Sequence, residues 1–428
     1  MCAYKISPCV RNTMTNLETD SLAPTILDVT GADIAGEGRR LREKGPIVPV
    51  ILPGGVSAWS VTEYKTLQGL LANPLVSKDP NQHWPAFMNG EIPDDWALGT
   101  WVGVKNMFTA YGSDHRRLRK LVAPAFTNRR TQVMKPRVEA ITTELLDALS
   151  EHPAGEPVDI RAAFAEPLPI RVITELMGVP LDLQPKLRFC VDELFSTTPQ
   201  RDPSENYAEF VGTLHELVEL RREGVRRAAP AGGLTTALIT QRDDDGDKLS
   251  ENELVDTLLL MISAGFETTV NLIGQAIFIL LSNPGQLTAV RAGGTTWADV
   301  IDETLRYAPP VAHLPLRYAV DDIPGTPIRK GQAILASFAP ANRDPEVHPA
   351  RPDEFDPTRS TKGHLSFGYG AHHCLGEPLA RLEAMLALPS LFDRFPEMSF
   401  AVDPTEIRTI DSFIANGHTE LPVYLAKP

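Results

Sequence analysis

The sequence predicts a single, mainly α-helical domain with small β regions near both ends. Hydrophobic residues recur at helical spacing, with short breaks, from Ser113 to about Ala308. A strand-and-turn pattern precedes this stretch, and a proline-rich, β-like stretch from Val311 to Asp356 follows it. The 428 residues contain no internal repeat and no flexible linker, so we expect one folded unit over residues 30–428.

The first β region is expected to be a hairpin. Residues 47–52 and 56–61 are rich in apolar and β-branched side chains, and they flank Pro53-Gly54-Gly55, which is typical of a tight turn. We expect Thr62 to cap a short helix after this hairpin. Residues 73–112 follow as a long stretch rich in proline, glycine and aromatic residues, and such a stretch is usually functional when it is ordered.

Composition and charge exclude several classes of partner. The formal net charge is −14, and an acidic chain repels nucleic acid and anionic lipid. The longest apolar stretch, residues 254–281, is interrupted by Asp256, Glu267 and Asn271, so it is a poor membrane span. Residues 1–29 are expected to form a flexible tail, whose first twenty residues lack the apolar core of a signal peptide. We therefore expect a soluble, cytoplasmic monomer that binds neither nucleic acid nor membrane.

Cys374 differs from the other three cysteines in its surroundings. It ends a glycine-rich loop that begins near Phe367, and a helical pattern with Pro378 in its first turn follows it. The positive end of a helix stabilises a thiolate, and glycines let backbone N–H groups approach the sulfur. The ordinary alternative is a buried structural cysteine. A metal cluster of His372, His373 and Cys374 is disfavoured because adjacent side chains rarely converge on one ion.

The loop resembles the haem-binding signature of the cytochrome P450 superfamily. The matching residues are Phe367, Gly370, Cys374 and Gly376, in the pattern Phe-x-x-Gly-x-x-x-Cys-x-Gly. The resemblance implies the triangular, helix-rich fold of that family. It also implies a haem b whose iron is held by Cys374 as axial thiolate, a ligand that favours O–O cleavage. The likeness extends over about residues 30–425 and is greatest to the soluble actinobacterial enzymes.

A second motif lies in the middle of the longest predicted helix, residues 251–282. It reads Ala264-Gly265-Phe266-Glu267-Thr268-Thr269, and a glycine beside an acid and a threonine is a poor choice for a buried helix. Taken alone, the pattern is explained by a tolerated glycine and an exposed glutamate. The resemblance implies instead an oxygen-activation motif, in which Gly265 leaves room for O2, Thr268 acts next to the iron, and Glu267 delivers protons through water.

A Glu303-x-x-Arg306 pair lies on a predicted short helix. Such (i, i+3) pairs are common on helix surfaces and are weak signals by themselves. The resemblance implies a structural pair behind the haem, joined by a basic residue from a later proline-rich stretch. Glu354 stands where many relatives carry that basic residue, so we expect Arg351 or Arg343 to replace it.

Cationic residues are expected around the haem carboxylates. His115 and Arg119 share one stripe of a helix predicted to be capped by Ser113, and two cations on an otherwise apolar stripe need an anion. Snorkelling surface side chains are the alternative. The resemblance implies that His115, Arg119, Arg317 and His372 contact the two propionates. The other residues expected to contact the haem are Phe367, Gly368 and Gly376 of the loop and Ala264 of the long helix.

The resemblance also implies that another protein supplies the electrons. Enzymes of this type receive electrons from NAD(P)H through a ferredoxin reductase and a ferredoxin. Basic residues in and after the predicted propionate helix form a candidate docking surface for an acidic ferredoxin. They are Arg116, Arg117, Lys120, Arg129 and Arg130. An ordinary solvated face is the alternative explanation.

The expected substrate-binding residues come from separate segments of the chain. They are all apolar: Phe87, Met88, Met261, Val311, Leu314 and Phe413. A pocket lined in this way suits a bulky apolar substrate, such as a steroid or a macrolide or polyketide intermediate, with one hydrogen bond available from His313. O2-dependent hydroxylation is the leading function. The alternatives are a peroxide-driven peroxygenase and a non-catalytic haem protein that binds a ligand.

Overall fold

The computed structural model describes residues 23–93, 96–227, 233–242 and 246–426. Helices dominate these residues, as the sequence predicts. In chain order they are α1 (Ile34–Lys44), α2 (Tyr64–Ala72), α3 (Pro80–His83), α4 (Pro85–Met88), α5 (Gly99–Gly103), α6 (Gly112–Val122), α7 (Asn128–Ser150), α8 (Pro167–Met177), α9 (Gln184–Phe195), α10 (Pro203–Arg226), α11 (Gly233–Thr240), α12 (Glu251–Ser282), α13 (Pro284–Arg291), α14 (Trp297–Tyr307), α15 (Phe338–Ala341) and α16 (Glu377–Arg394).

The strands form two small sheets. They are β1 (Thr25–Ile26), β2 (Ile47–Ile51), β3 (Ser57–Val61), β4 (Val76–Ser77), β5 (Val158–Asp159), β6 (His313–Ala319), β7 (Ala333–Ser337), β8 (Ser399–Phe400) and β9 (Pro422–Tyr424). The larger sheet has the order β1-β2-β3-β7-β6-β4, and the smaller one has the order β5-β9-β8. Each sheet therefore joins strands that precede the long helix α12 to strands that follow it.

The predicted hairpin is confirmed, but the residue that precedes the next helix is not the predicted one. Strands β2 and β3 pair antiparallel, with Val50 opposite Ala58. Helix α2 begins after Glu63, and the hydroxyl of Thr62 donates instead to the carbonyl of Gly45 at 2.6 Å. Thr62 therefore anchors the end of the hairpin and does not cap the helix.

The folded unit begins earlier than the predicted boundary at residue 30. Strand β1 pairs in parallel with β2, and the side chain of Leu27 is buried. Three residues that were expected in the flexible tail, 25–27, therefore pack against the sheet. Residues 1–22 of the predicted tail lie outside the described part of the chain.

Helix α12 is the central helix of the protein, and its bounds match the predicted ones. A capping box starts it: the Ser250 hydroxyl accepts from the Glu253 N–H, and the Glu253 carboxylate accepts from the Ser250 N–H. Its length and apolar composition would suffice to cross a membrane, but 72% of its most apolar window is buried inside the protein. It packs against α8, α9, α10, α14 and α16, so burial on nearly all sides accounts for its hydrophobicity.

The aromatic residues in the described part of the stretch 73–112 lie in two places. Some are in the core, and others line an internal cavity. Trp84 stacks on Tyr318 of β6, with ring centroids 5.0 Å apart, and the Trp96 indole donates to the carbonyl of Pro53 at 2.7 Å. Both tryptophans are buried in the core. Trp101 and Phe108, further along the chain, line the cavity described below.

Candidate haem-thiolate site

The glycine-rich loop holds Cys374 at the start of α16. The Cys374 N–H donates to the carbonyl of Phe367 at 2.9 Å and closes the loop. Gly368 and Gly370 have φ values of +72° and +73°, which favour glycine. A Cβ on Gly370 would also lie only 3.0 Å from the carbonyl oxygen of Leu71. The backbone of this loop therefore requires the glycines that the sequence places there.

Cys374 lines the cavity and is exposed to it. Burial raises the pKa of this thiol, whereas the N–H groups of Gly376 and Glu377 and the charge of Arg119 lower it. N–H groups and a cation directed at one sulfur stabilise a thiolate, which is the form that binds a metal ion. In the described part of the chain, no three His, Cys, Asp or Glu side chains converge as a metal site, so the alternative cluster with His372 and His373 has no support.

Helix α12 contributes the opposite wall of the same cavity. Ala264, Gly265 and Thr268 all line it, and the Thr268 hydroxyl donates to the carbonyl of Ala264 at 2.8 Å. A Cβ on Gly265 would lie 2.7 Å from Cδ1 of Ile173 on α8. The close approach of α8 therefore accounts for this glycine by packing, a reason that the motif alone does not supply.

Glu267 is buried but does not line the cavity; it lies in a cluster of charged groups. Its Oε1 accepts from Asn271 Nδ2 at 3.0 Å and is 3.8 Å from Arg161 Nη2. Burial raises the pKa of this carboxyl to about 7, although the charge of Arg161 opposes the shift. Arg161 also binds Glu166, which pairs with the half-exposed Arg188. Charged side chains thus connect Glu267 to the protein surface.

Three of the four predicted propionate ligands meet beside the cysteine loop. The rings of His115 and His372 lie 4.1 Å apart, and Arg119 Nη2 donates to the carbonyl of His373 at 2.8 Å. Burial, followed by neighbouring positive charges, lowers the pKa of His115 to about 4, and the same causes lower the pKa of His372. Helix α6, which carries His115 and Arg119, begins at Gly112 with Tyr111 as its N-cap, so the predicted cap at Ser113 is wrong.

Two further buried basic side chains, those of Arg317 and Lys78, lie on the cavity wall. Arg317 Nη1 and Lys78 Nζ have no hydrogen-bond partner among the described residues, and the same is true of His115 Nε2. Burial lowers the pKa of Arg317 to about 10. Buried cations without an anion are unfavourable, and two carboxylates would supply the missing charge.

These residues fit a haem. Cys374 would hold the iron, and His115, Arg119, Arg317 and His372 would hold the carboxylates. The predicted contacts of the macrocycle, Phe367, Gly368, Gly376 and Ala264, all line the same cavity.

The Glu303–Arg306 pair is confirmed and completely buried. Arg306 Nε and Nη2 donate to the two carboxylate oxygens of Glu303 at 2.8 and 2.7 Å. The third member of the network is Arg359, whose Nε donates to Glu303 Oε1 at 3.3 Å. All three side chains are buried, and the Glu303 carboxylate accepts from both arginines.

Neither residue proposed from the sequence takes that third position. Arg351 is exposed and pairs with Glu354 and Asp356 at the surface. Arg343 donates instead to the carbonyl of Tyr307 at 2.9 Å. The residue opposite Glu303 therefore lies further along the chain than predicted, and the carbonyls of Arg351 and Glu354 accept from Arg359 and hold it there.

The cavity extends from Cys374 past Thr268 to a mainly apolar wall. Its empty volume is about 1740 Å³, including the opening to solvent. The apolar side chains on this wall include Trp101, Val104, Met107, Phe108, Leu194, Phe195, Leu259, Leu260, Met261, Val311 and Leu314. Three of the six predicted substrate-binding residues, Met261, Val311 and Leu314, therefore line the cavity.

Phe87, Met88 and Phe413 do not line this cavity, so the structure does not bring them together with the other three. Phe87 stacks on Trp84 with ring centroids 5.9 Å apart, and Met88 is half exposed. Phe413 is buried 6.0 Å from the ring of His313, which is itself absent from the cavity wall. Phe87 thus packs through Trp84 onto Tyr318 of β6 and away from the cavity wall.

Two residues at the end of α9 were missed. Leu194 and Phe195 line the cavity, and Phe195 makes an edge-to-face contact with Trp101 at 4.9 Å. The hydrophobic pattern of α9 is the same as that of any helix with a buried face. Only the approach of α9 to residues 99–108 shows that these two side chains line the cavity.

Comparisons with known proteins agree with this site. The family model described as Cytochrome P450 matches residues 170–292 and 297–416. The chain is 43% identical over 407 residues to 2-hydroxy-5-methyl-1-naphthoate 7-hydroxylase of Streptomyces carzinostaticus, covering 94% of this chain and 98% of that protein.

Solved structures give the same result. CYP154A1 from Streptomyces coelicolor A3(2) is 52% identical, with a TM-score of 0.87, and the match covers 94% of this chain and 100% of that one. Testosterone-bound CYP154C4 from Streptomyces sp. ATCC 11861 is 40% identical, with a TM-score of 0.89 and coverage of 95% and 100%. The cysteine loop, the buried cations and these likenesses agree, and the chain belongs to the cytochrome P450 family of haem monooxygenases.

Proposed function

We propose that this monooxygenase hydroxylates a bulky, mainly apolar substrate in the cytoplasm, with electrons from NAD(P)H delivered by a ferredoxin reductase and a ferredoxin. The observation that carries the proposal is the continuity of one cavity, which joins Cys374 and Thr268 to a wall of aromatic and aliphatic side chains. When bound at Cys374, haem supplies the O2 chemistry. A substrate against the apolar wall then lies beside the reacting centre, and hydrophobic burial favours its binding.

The polar residues of α12 favour O2 activation over a peroxide-driven reaction. The Thr268 hydroxyl lies on the cavity wall, where it could hold or pass a proton beside the haem that Cys374 would bind. Glu267 lies one residue away in the buried charged cluster, and a carboxyl with a pKa of about 7 exchanges protons readily at neutral pH. The arginines and acids between Glu267 and the surface offer a route by which that proton is replaced. A peroxygenase or a ligand-binding haem protein needs none of these groups.

The substrate class follows from the composition of the wall. Its few polar side chains outside the region of buried cations include Thr100, Asn106 and Ser263. Asn106 Nδ2 already donates to the carbonyl of Asp256 at 2.8 Å, and the Ser263 hydroxyl donates to the carbonyl of Leu259 at 2.7 Å. A steroid, or a macrolide or polyketide intermediate, suits such a wall. The testosterone-bound relative and the relative that hydroxylates a naphthoate support a polycyclic substrate.

A spectral titration tests the substrate class. Steroids, macrolactones and fatty acids are added to the haem-loaded protein, and the shift of haem from low to high spin is recorded. We expect a strong shift with the polycyclic or macrocyclic compounds, followed by NAD(P)H-driven product formation when ferredoxin and reductase are added. A strong shift with fatty acids alone would contradict the substrate class. Product formed with peroxide but not with O2 and electrons would favour the peroxygenase.

The ferredoxin is proposed to dock on the basic surface of α6 and the start of α7. Arg116, Arg129 and Arg130 are exposed there. Arg117, which the sequence analysis included, is paired with Asp247 and Glu253, and it therefore contributes less to the attraction. Electrostatic attraction of an acidic partner weakens as salt rises.

Charge reversal tests this docking surface. Arg116→Glu should lower the ferredoxin-supported rate at low salt more than at high salt. Arg408→Glu, an exposed arginine of the C-terminal segment with the same change in net charge, serves as control. A rate that is indifferent both to Arg116→Glu and to ionic strength would contradict the proposed surface.

A further inference from the structure

Lys78 is a buried lysine that the family resemblance did not assign to the site. It lies between β4 and α3 and is only 3% exposed. Its Nζ has no hydrogen-bond partner among the described residues and lies 3.2 Å from the ring centroid of Phe108. A ring face attracts a cation but does not replace a counter-ion or a hydrogen-bond acceptor. An ammonium in this position therefore needs an anion.

Basic side chains surround Lys78. Burial and the charge of Arg317 lower the pKa of Lys78 well below its ordinary value, and no carboxylate of the described residues offsets them. Lys78, Arg317 and His372 line the same cavity. Lys78 thus adds a fifth basic side chain to the four predicted propionate ligands.

We propose that Lys78 binds a propionate of the haem and is a further cofactor-binding residue of this protein. It lies among the same basic side chains that would hold the haem carboxylates, two of which, His115 and His372, are in contact with each other beside the cysteine loop. An ammonium offers three N–H donors, so it can bind a carboxylate while its stem stays against Phe108. Haem binding therefore also steadies Phe108, which lines the substrate side of the cavity.

A carboxylate on the substrate is the competing anion. One relative hydroxylates a naphthoate, and Lys78 lies on the wall of the same cavity that receives the substrate. The position of Lys78 beside Arg317 and His372 favours the haem, because these residues belong to the haem site. The role of Lys78 rests on the haem of the family and not on the substrate class, so haem release is measured without substrate, and a naphthoate is added only to test the competing role.

The experiment measures haem loss from the holoenzyme to an excess of apomyoglobin. Wild type and Lys78→Met are compared, each loaded either with haem or with haem whose two propionates are methyl esters. Loss of a buried charge-assisted hydrogen bond should speed haem release on the order of 10- to 100-fold in Lys78→Met. Release of the ester should be equally fast from both proteins, since the ester carries no charge for Lys78 to bind. Lys78→Arg should keep most of the wild-type retention of haem.

Two controls separate this role from packing. Lys330→Met makes the same substitution at an exposed lysine and should leave haem release unchanged. Phe108→Leu removes the ring but keeps the ammonium, and it should affect haem release much less than Lys78→Met. If Lys78→Met does not yield holoenzyme, Lys78→Gln is measured in the same way.

Either of two results would overturn the proposal. Equal acceleration for haem and for its ester in Lys78→Met would assign Lys78 a structural role. Unchanged haem release together with weakened binding of 2-hydroxy-1-naphthoate, read from the spin-state titration, would assign it to a substrate carboxylate.

Discussion

Arg359→Ala is the sharpest test of the buried network that contains Glu303 and Arg306. The Arg359 side chain is 5% exposed, and it donates to Glu303 Oε1 at 3.3 Å and to the carbonyls of Arg351 and Glu354 at 3.0 and 2.9 Å. Truncation removes all of these hydrogen bonds at once. Glu303 keeps Arg306 as a partner, but the buried carboxylate and the two carbonyls each lose a donor.

The expected loss of stability follows from this geometry. Removal of one partner of a buried ion pair costs about 3–5 kcal/mol. Because Arg306 still neutralises Glu303, we expect the lower end, about 3 kcal/mol, which lowers the folding equilibrium constant on the order of 100-fold. The control is Arg351→Ala, whose side chain is 61% exposed and paired at the surface. Exposed pairs contribute about 0–1 kcal/mol, so this variant should resemble the wild type.

Urea unfolding of haem-loaded protein, followed by Soret absorbance and by tryptophan fluorescence, measures the difference. Both signals should shift to lower urea in Arg359→Ala and stay near the wild-type midpoint in Arg351→Ala. The assignment would be refuted if the two variants lost similar stability, or if Arg359→Ala lost less than about 1 kcal/mol, the range of an exposed pair.

Three further predictions concern the site itself. Cys374→Ala should lose the red-shifted Soret band that a thiolate ligand gives the reduced CO complex; persistence of the band would assign the ligand elsewhere. Thr268→Ala should still bind substrate and consume NAD(P)H but release more peroxide and less product, because the hydroxyl on the cavity wall is gone; an unchanged ratio of product to NAD(P)H would contradict its role. Burial raises the pKa of Glu267 from 4.5 to about 7, so the folded state keeps a proton that the unfolded chain releases, and this group lowers the unfolding free energy as pH rises from about 4.5 to about 7. Glu267→Gln should flatten that part of the stability profile, and parallel profiles would show that the carboxyl is not protonated there.

The features that the sequence determined by itself are those with local signals. The capping box and apolar run of α12 are contained in one segment, so its bounds were predicted correctly. The cysteine loop also has a local signal, because its glycines at positive φ, Cys374 and the start of α16 follow one another in the chain. The hairpin of β2 and β3 also depends on a turn between neighbouring strands. In each case the physical cause acts over a few residues and leaves its pattern in the order of the sequence.

Only the tertiary structure decided which distant side chains meet. Arg359 takes the position beside Glu303, and hydrogen bonds to backbone carbonyls hold it there. Phe195 reaches the cavity because α9 approaches Trp101, whereas Phe87 stacks on Trp84 instead. Lys78 joins the cations of the site because β4 pairs with β6, the strand that carries Arg317. Contacts between segments far apart in the chain depend on which helices and strands pack together. The hydrophobic pattern of one segment indicates a buried face but does not identify the segment that covers it.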